Sequence, residues 1–91
     1  MEEKYANGQI ISRLQDGVLT YYLKDGKLKA RGPFVDGIME GDWTFWRASG
    51  ELWQTGQFLH NQKHGRFIRY DRAGTVEYDE VFDKGRLIKR A

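Results

Sequence analysis

The stretch Gly32-Pro33-Phe34-Val35-Asp36-Gly37-Ile38-Met39-Glu40-Gly41-Asp42-Trp43 returns 24 residues later as Gly56-Gln57-Phe58-Leu59-His60-Asn61-Gln62-Lys63-His64-Gly65-Arg66-Phe67. Self-similarity at a fixed period of this length marks an array of small repeated units. Working outward, Gly17, Gly41 and Gly65 open successive blocks, and Gly26, Gly50 and Gly74 share a column within them. Leu28, Leu52 and Val76 form another column, as do Phe34, Phe58 and Phe82, then Leu19, Trp43 and Phe67, then Tyr22, Trp46 and Tyr70. One column breaks: Gly32 and Gly56 are followed by Glu80, in the last block, where no further hairpin needs to pack.

Each block holds two β-rich runs, Val18 to Leu23, Asp42 to Arg47 and Arg66 to Asp71 first, then Lys27 to Val35, Glu51 to Leu59 and Thr75 to Asp83. No helical period survives across them, and glycine at this density would break a helix. The blocks 17–40, 41–64 and 65–85 therefore read as three hairpins in series. A shortened unit, 5–16, precedes them, with Asn7-Gly8 as a turn, and 86–90 supplies a last edge strand whose three basic residues discourage edge pairing. About seven short antiparallel strands in a single all-β domain are expected.

Turn chemistry sets the register. Lys24-Asp25-Gly26, Ala48-Ser49-Gly50 and Arg72-Ala73-Gly74 place glycine third, which fits a type I turn closed by a glycine bulge. Asp16-Gly17 reads as a two-residue hairpin turn. The column Gly37, Asn61, Gly85 points to a left-handed backbone, since asparagine after glycine best tolerates positive φ. Pro33 has no N–H to donate, so it belongs at a strand edge or a bulge. The register that follows sets Arg47 opposite Glu51, Arg69 opposite Glu77 and Arg66 opposite Glu80, each a favourable cross-strand pair. It also assigns a main core face of Tyr22, Leu28, Phe34, Trp46, Leu52, Phe58, Ile68, Tyr70, Val76, Tyr78 and Phe82. The other face carries Tyr21, Trp43, Phe45, Trp53 and Phe67, bordered by Lys29 and Arg31 and by Arg69, Glu77 and Asp79. A sheet apolar on both faces either coils on itself or has one face covered by a partner.

The 91 residues carry 15 Lys plus Arg against 13 Asp plus Glu, so net charge argues for neither nucleic acid nor an anionic membrane. With no cysteine there is no disulfide framework and no thiolate metal site. The amino-terminal Met1-Glu2-Glu3-Lys4-Tyr5 lacks the apolar stretch of a secretory signal, and a cytoplasmic location is the expectation. His60 and His64 lie four apart in a turn rather than on a helix, with no third ligand to converge on, and are read as solvated turn residues. Asp16, Asp25 and Asp36 precede turn glycines, where carboxylates stabilise the turn. No nucleophile motif, phosphate loop or dinucleotide fingerprint is present, so neither catalysis nor a cofactor is expected.

The linked pattern Gly32-x-Phe34-x-Asp36-Gly37-x-x-x-Gly41-x-Trp43, repeated from Gly56 to Phe67, resembles the MORN-type repeat. More narrowly it resembles the bacterial variant with a period near 24, found in small proteins labelled YwqK-like antitoxins. The resemblance spans Gly17 to Gly85 and departs at Glu80 and Pro33. It implies a narrow, twisted, single-layer antiparallel sheet of tandem β-hairpins. For function, it implies binding of a toxic protein partner, or protein scaffolding, self-association and phospholipid contact.

Tyr21, Trp43, Phe45, Trp53 and Phe67 are accordingly the candidate partner-binding residues, their alternative being a second, minor core inside a coiled sheet. Exposed aromatics ringed by charge have the anatomy of an interface. Lys24, Lys27, Lys29 and Arg31, the densest basic stretch, are the alternative site for phosphate or lipid headgroups, with Lys84, Arg86, Lys89 and Arg90 a second such stretch. Nucleic acid is a minor reading. A homodimer or other oligomer, formed through a sheet face or an open edge, is expected.

Overall fold

A computed structural model describes residues 3–90. Met1 and Glu2, which belong to the stretch read for a secretory signal, and Ala91 lie outside them. Nine strands follow in order: β1 (Ser12–Gln15), β2 (Val18–Tyr22), β3 (Leu28–Val35), β4 (Ile38–Met39), β5 (Gly41–Trp46), β6 (Leu52–Leu59), β7 (Gln62–Tyr70), β8 (Val76–Asp83) and β9 (Arg86–Arg90). They form one open antiparallel sheet in the order β1-β2-β3-β5-β6-β7-β8-β9, with β4 beside β3. The molecule is a thin slab of 42 × 34 × 18 Å. The nine strands exceed the expected seven because β1 pairs independently and Glu40 splits β4 from β5.

Two turn types alternate along the meander. Gly26, Gly50 and Gly74 have φ of 90°, 103° and 87°, and their N–H groups donate to the carbonyls of Leu23, Arg47 and Asp71, as a type I turn with a glycine bulge requires. At the opposite end the pairs Asp16-Gly17, Asp36-Gly37, His60-Asn61 and Lys84-Gly85 all have positive φ at both residues, the mark of type I′ turns. The left-handed column expected at Gly37, Asn61 and Gly85 is therefore present. Asn61 does more than tolerate its φ of 68°, for its Oδ1 accepts the Met39 N–H at 2.7 Å. Pro33 sits within β3 where the ladder to β4 and β5 is interrupted, its carbonyl accepting the Glu40 N–H at 3.2 Å and the Trp43 indole at 3.0 Å.

The register departs from expectation a few residues beyond each glycine turn. Arg47 does face Glu51, its N–H donating to the Glu51 carbonyl at 2.8 Å. But Tyr21 pairs with Ala30 and Tyr22 with Leu28, so Lys29 is left over. Trp53 and Glu77 are left over in the same way in the next two hairpins. This extra bulge moves Arg69 opposite Tyr78 rather than Glu77, and Arg66 opposite Val81 rather than Glu80. Arg66 instead makes a two-pronged bond to Asp79, at 2.9 and 2.7 Å.

One bulged residue changes the parity of the remaining strand, so the expected core face is overturned. Phe34, Phe58 and Phe82 cross to the side of Trp43 and Phe67; Phe34 packs against the core there, and Phe58 and Phe82 join Trp43 and Phe67 in an edge-on chain: Trp43 to Phe58 at 6.3 Å, Phe58 to Phe67 at 5.3 Å and Phe67 to Phe82 at 5.4 Å. Tyr78 crosses as well, while Arg31 and Asp79, expected to border the aromatic face, lie on the reverse. The buried hydrophobic residues among those described are Leu19, Ala30, Trp43 and Phe67, all on this one face. Leu28, Leu52 and Val76 remain 37%, 38% and 52% exposed on the other. We call these the packed face and the open face.

The packed face explains the broken glycine column. A Cβ on Gly32 would lie 2.3 Å from the Trp43 ring, and one on Gly56 would lie 2.2 Å from the Phe67 ring. Each aromatic lies across the backbone of the preceding repeat, and Glu80 occupies the first such position with no later ring described above it. Its carboxylate bonds Arg90 of the edge strand at 2.8 Å.

A candidate binding hollow on the packed face

The row Tyr21, Ala30, Phe45, Gln54, Arg69, Tyr78 runs across five strand pairings on the packed face. Ala30, Gln54 and Tyr78 are equivalent positions in successive repeats. Only the first of them is a methyl group, and the space it leaves between Tyr21 and Phe45 is a hollow. Trp43 and Ala30, 2% and 5% exposed, form its floor. Tyr21, Phe45, Trp46, Trp53 and Met39 form its walls, Lys29 stands at the rim, and the open volume is about 280 Å³.

The floor is rigid for identifiable reasons. The Trp43 indole N–H donates to the Pro33 carbonyl at 3.0 Å, and its ring stacks on Phe45 at 6.2 Å and 27°. On the far side, the Arg69 guanidinium lies 5.0 Å from Trp53 and 5.3 Å from Tyr78, a cation held between two rings. Gln54 Oε1 accepts from both Nε and Nη2 of Arg69, at 3.2 and 3.1 Å, so the guanidinium that flanks Trp53 is itself held in place. The bulge that leaves Trp53 without a cross-strand partner is also what turns it toward this side.

The structure thus brings Tyr21, Trp43, Phe45 and Trp53 together and separates Phe67 from them. Phe67, 4% exposed, packs between Phe58 and Phe82 under Lys63, whose Nζ is 5.1 and 4.8 Å from the Phe67 and Phe82 rings. Sequence reading passed over Ala30, Met39 and Trp46 as members of this site. The contrast of Ala30 with Gln54 and Tyr78 in one repeat column was the available signal, because a missing side chain among larger ones leaves a space.

The basic stretch does not converge. Lys27 pairs with Asp25 at 3.8 Å, Lys24 lies at the turn beside Tyr5 and Leu23, Lys29 reaches the hollow, and Arg31 lies on the open face between Thr20 and Thr44. His60 and His64 go to different neighbours: His60 Nδ1 is 3.0 Å from Glu40, and His64 Nδ1 accepts the Lys84 N–H at 3.2 Å. Among the described residues no three His, Cys, Asp or Glu side chains group to hold a metal ion. Asp79 is held below its ordinary 3.8 by the hydrogen bond from Arg66 and then by that charge, and Arg66 is raised by the same bond. Glu51 is lowered chiefly by a hydrogen bond from Ser49. All three shifts lie outside the hollow.

Fold and site together define a non-helical array of tandem hairpins carrying an aromatic hollow. Residues 15–36 match the family model described as a MORN repeat variant, which supports a MORN-type repeat protein and fits the hairpin array. Such repeats are commonly protein- or membrane-binding modules and are generally non-enzymatic, consistent with a non-catalytic binding role. No curated protein and no solved structure matches the chain.

Proposed function

We propose that the chain is a non-catalytic protein-binding module, and that the hollow over Trp43 takes an apolar side chain of its partner. The observation that supports this reading is the Ala30 vacancy: aromatic walls on a rigid floor, beside one cation, have the composition of an interface centre rather than of a solvated surface. In the finer form of the reading, suggested by the resemblance to YwqK-like antitoxins, the partner is a toxic protein that the module holds inactive in the cytoplasm.

The test is capture from native cells by the full chain, compared with Trp53→Ala and Ala30→Leu, each checked by circular dichroism. Trp53→Ala removes a wall, and its loss at a true interface centre weakens binding by about 30-fold or more. Ala30→Leu fills the hollow and should also release the partner. A protein captured equally by all three chains would overturn the assignment of this site. Co-expression with a toxic neighbouring gene product tests the finer reading: growth restored by wild type and not by Trp53→Ala supports it, and unrelieved toxicity refutes it.

A further inference from the structure

Beyond Gln54 the packed face carries a second depression, of about 100 Å³, whose chemistry differs from that of the hollow. Phe67 and Tyr78 lie at its base, Lys63 and Arg69 stand over them, and Glu80 completes its wall. The two cations are held by rings rather than by acids: Lys63 Nζ lies 5.1 Å from the Phe67 ring and the Arg69 guanidinium 5.3 Å from the Tyr78 ring. Among the described residues neither makes an ion pair with a carboxylate. Glu80 is taken up by Arg90, at 2.8 Å. Two uncompensated cations attract an anion, and the space is several times what one water molecule needs, enough for a carboxylate. Lys29 adds a third cation at the mouth of the hollow, and no Asp or Glu among the described residues lines that space. Aromatic walls can also receive a cation. Here Arg69 already lies on Trp53, at 5.0 Å, and Lys29 stands at the mouth, so a cationic occupant is repelled from both sides.

We infer, building on the proposal that the hollow over Trp43 takes an apolar side chain of a protein partner, that the bound segment is acidic. Extended across the strands, it seats its apolar residue in the hollow and a carboxylate between Lys63 and Arg69. Spacing sets the motif. The hollow lies over Ala30 in β3 and the depression beside Arg69 in β7, three pairings apart in the order β3-β5-β6-β7, or about 14 Å. An extended chain covers that distance in about four residues, and residues i and i+4 face the same side. An apolar residue with Asp or Glu at that spacing therefore meets both spaces at once, while Lys29 favours a further acid beside the apolar residue.

Selection of phage-displayed random peptides, long enough to span both spaces, on the full chain provides the test, with Ala30→Leu as counter-target. Peptides that bind wild type and are lost on Ala30→Leu should share a large apolar residue with Asp or Glu at the stated spacing. A labelled consensus peptide should then bind Lys63→Glu about 5-fold or more weakly than wild type by fluorescence anisotropy, a difference that shrinks as salt is added. The same peptide with that acid changed to Gln should bind both chains alike, which isolates the pairwise contact from any general effect of the substitution. Lys63 is exposed, so Lys63→Glu should keep the wild-type circular dichroism. Should it unfold, the loss of affinity on changing the peptide's acid to Gln, measured on wild type, decides alone. Peptides released by Ala30→Leu but lacking the acid, or a Lys63→Glu chain that binds both peptides as wild type does, overturn the inference and leave the hollow as a partner site. Peptides held equally by Ala30→Leu, or none selected at all, overturn both.

Discussion

Glycine at 32 and 56 answers a steric demand rather than a conformational one. Neither has a positive φ, and what excludes a side chain is the ring lying across it. Gly56→Ala would push a methyl group into Phe67, a ring 4% exposed that cannot move aside without disturbing Phe58 and Phe82. We expect a loss of about 1–3 kcal/mol, read by urea unfolding. Glu80→Ala, in the same repeat column but without a ring above it, should change stability by less than about 1 kcal/mol, because only an exposed ion pair to Arg90 is lost. Equal costs at the two sites would contradict the packing described. Trp43 is the opposite case: at 2% exposure it is both floor of the hollow and centre of the core, and Trp43→Ala should cost about 3–5 kcal/mol, enough to threaten folding of a chain this small. For that reason Trp53 and Ala30 are the better probes of binding.

Hairpin elements are held by their turns, and the turns differ in what they require. At His60-Asn61 both residues are left-handed, and Asn61 ties the turn to the neighbouring hairpin through Met39. Asn61→Ala loses both the φ tolerance and the acceptor and should cost about 1–2 kcal/mol. Asn61→Gly keeps the first and should cost less, which a pair of denaturation curves resolves. The Arg66 to Asp79 bridge between β7 and β8 gives a pH dependence of known sign. The Asp79 pKa is depressed in the folded state, so its contribution is present above the ordinary carboxyl value of 3.8 and is lost as pH falls through the lower folded value. Wild type should exceed Asp79→Asn at neutral pH, and the two should converge below pH 3.8, with a small difference throughout because the pair is exposed. The bulges at Lys29, Trp53 and Glu77 were not legible: the three residues share no chemistry and none has a positive φ, so nothing in the chain marks them.

At the scale of the whole molecule each strand hydrogen-bonds only to its neighbours, as in other repeat arrays, and stability should divide along the array. Removing residues 84–91 therefore leaves a folded sheet ending at β8. Circular dichroism should retain the strand signal with a lower Tm, and complete unfolding would show that the array is more cooperative than its topology implies. Composition and spacing alone determined the repeat, its hairpins, the glycine-bulge turns and the left-handed column at Gly37, Asn61 and Gly85, because turn glycines and aromatic columns act locally and recur at each period, whereas positive φ at Asp36, His60 and Lys84 was seen only in the structure. The same local signals identified Tyr21, Trp43, Phe45 and Trp53 as residues to watch. Only the tertiary structure decided which face is packed, since one unmarked bulge per hairpin reverses the parity of every residue beyond it. It alone showed Ala30 as a vacancy and Phe67 as core, because a hollow is a relation among side chains on separate strands and no single strand encodes it.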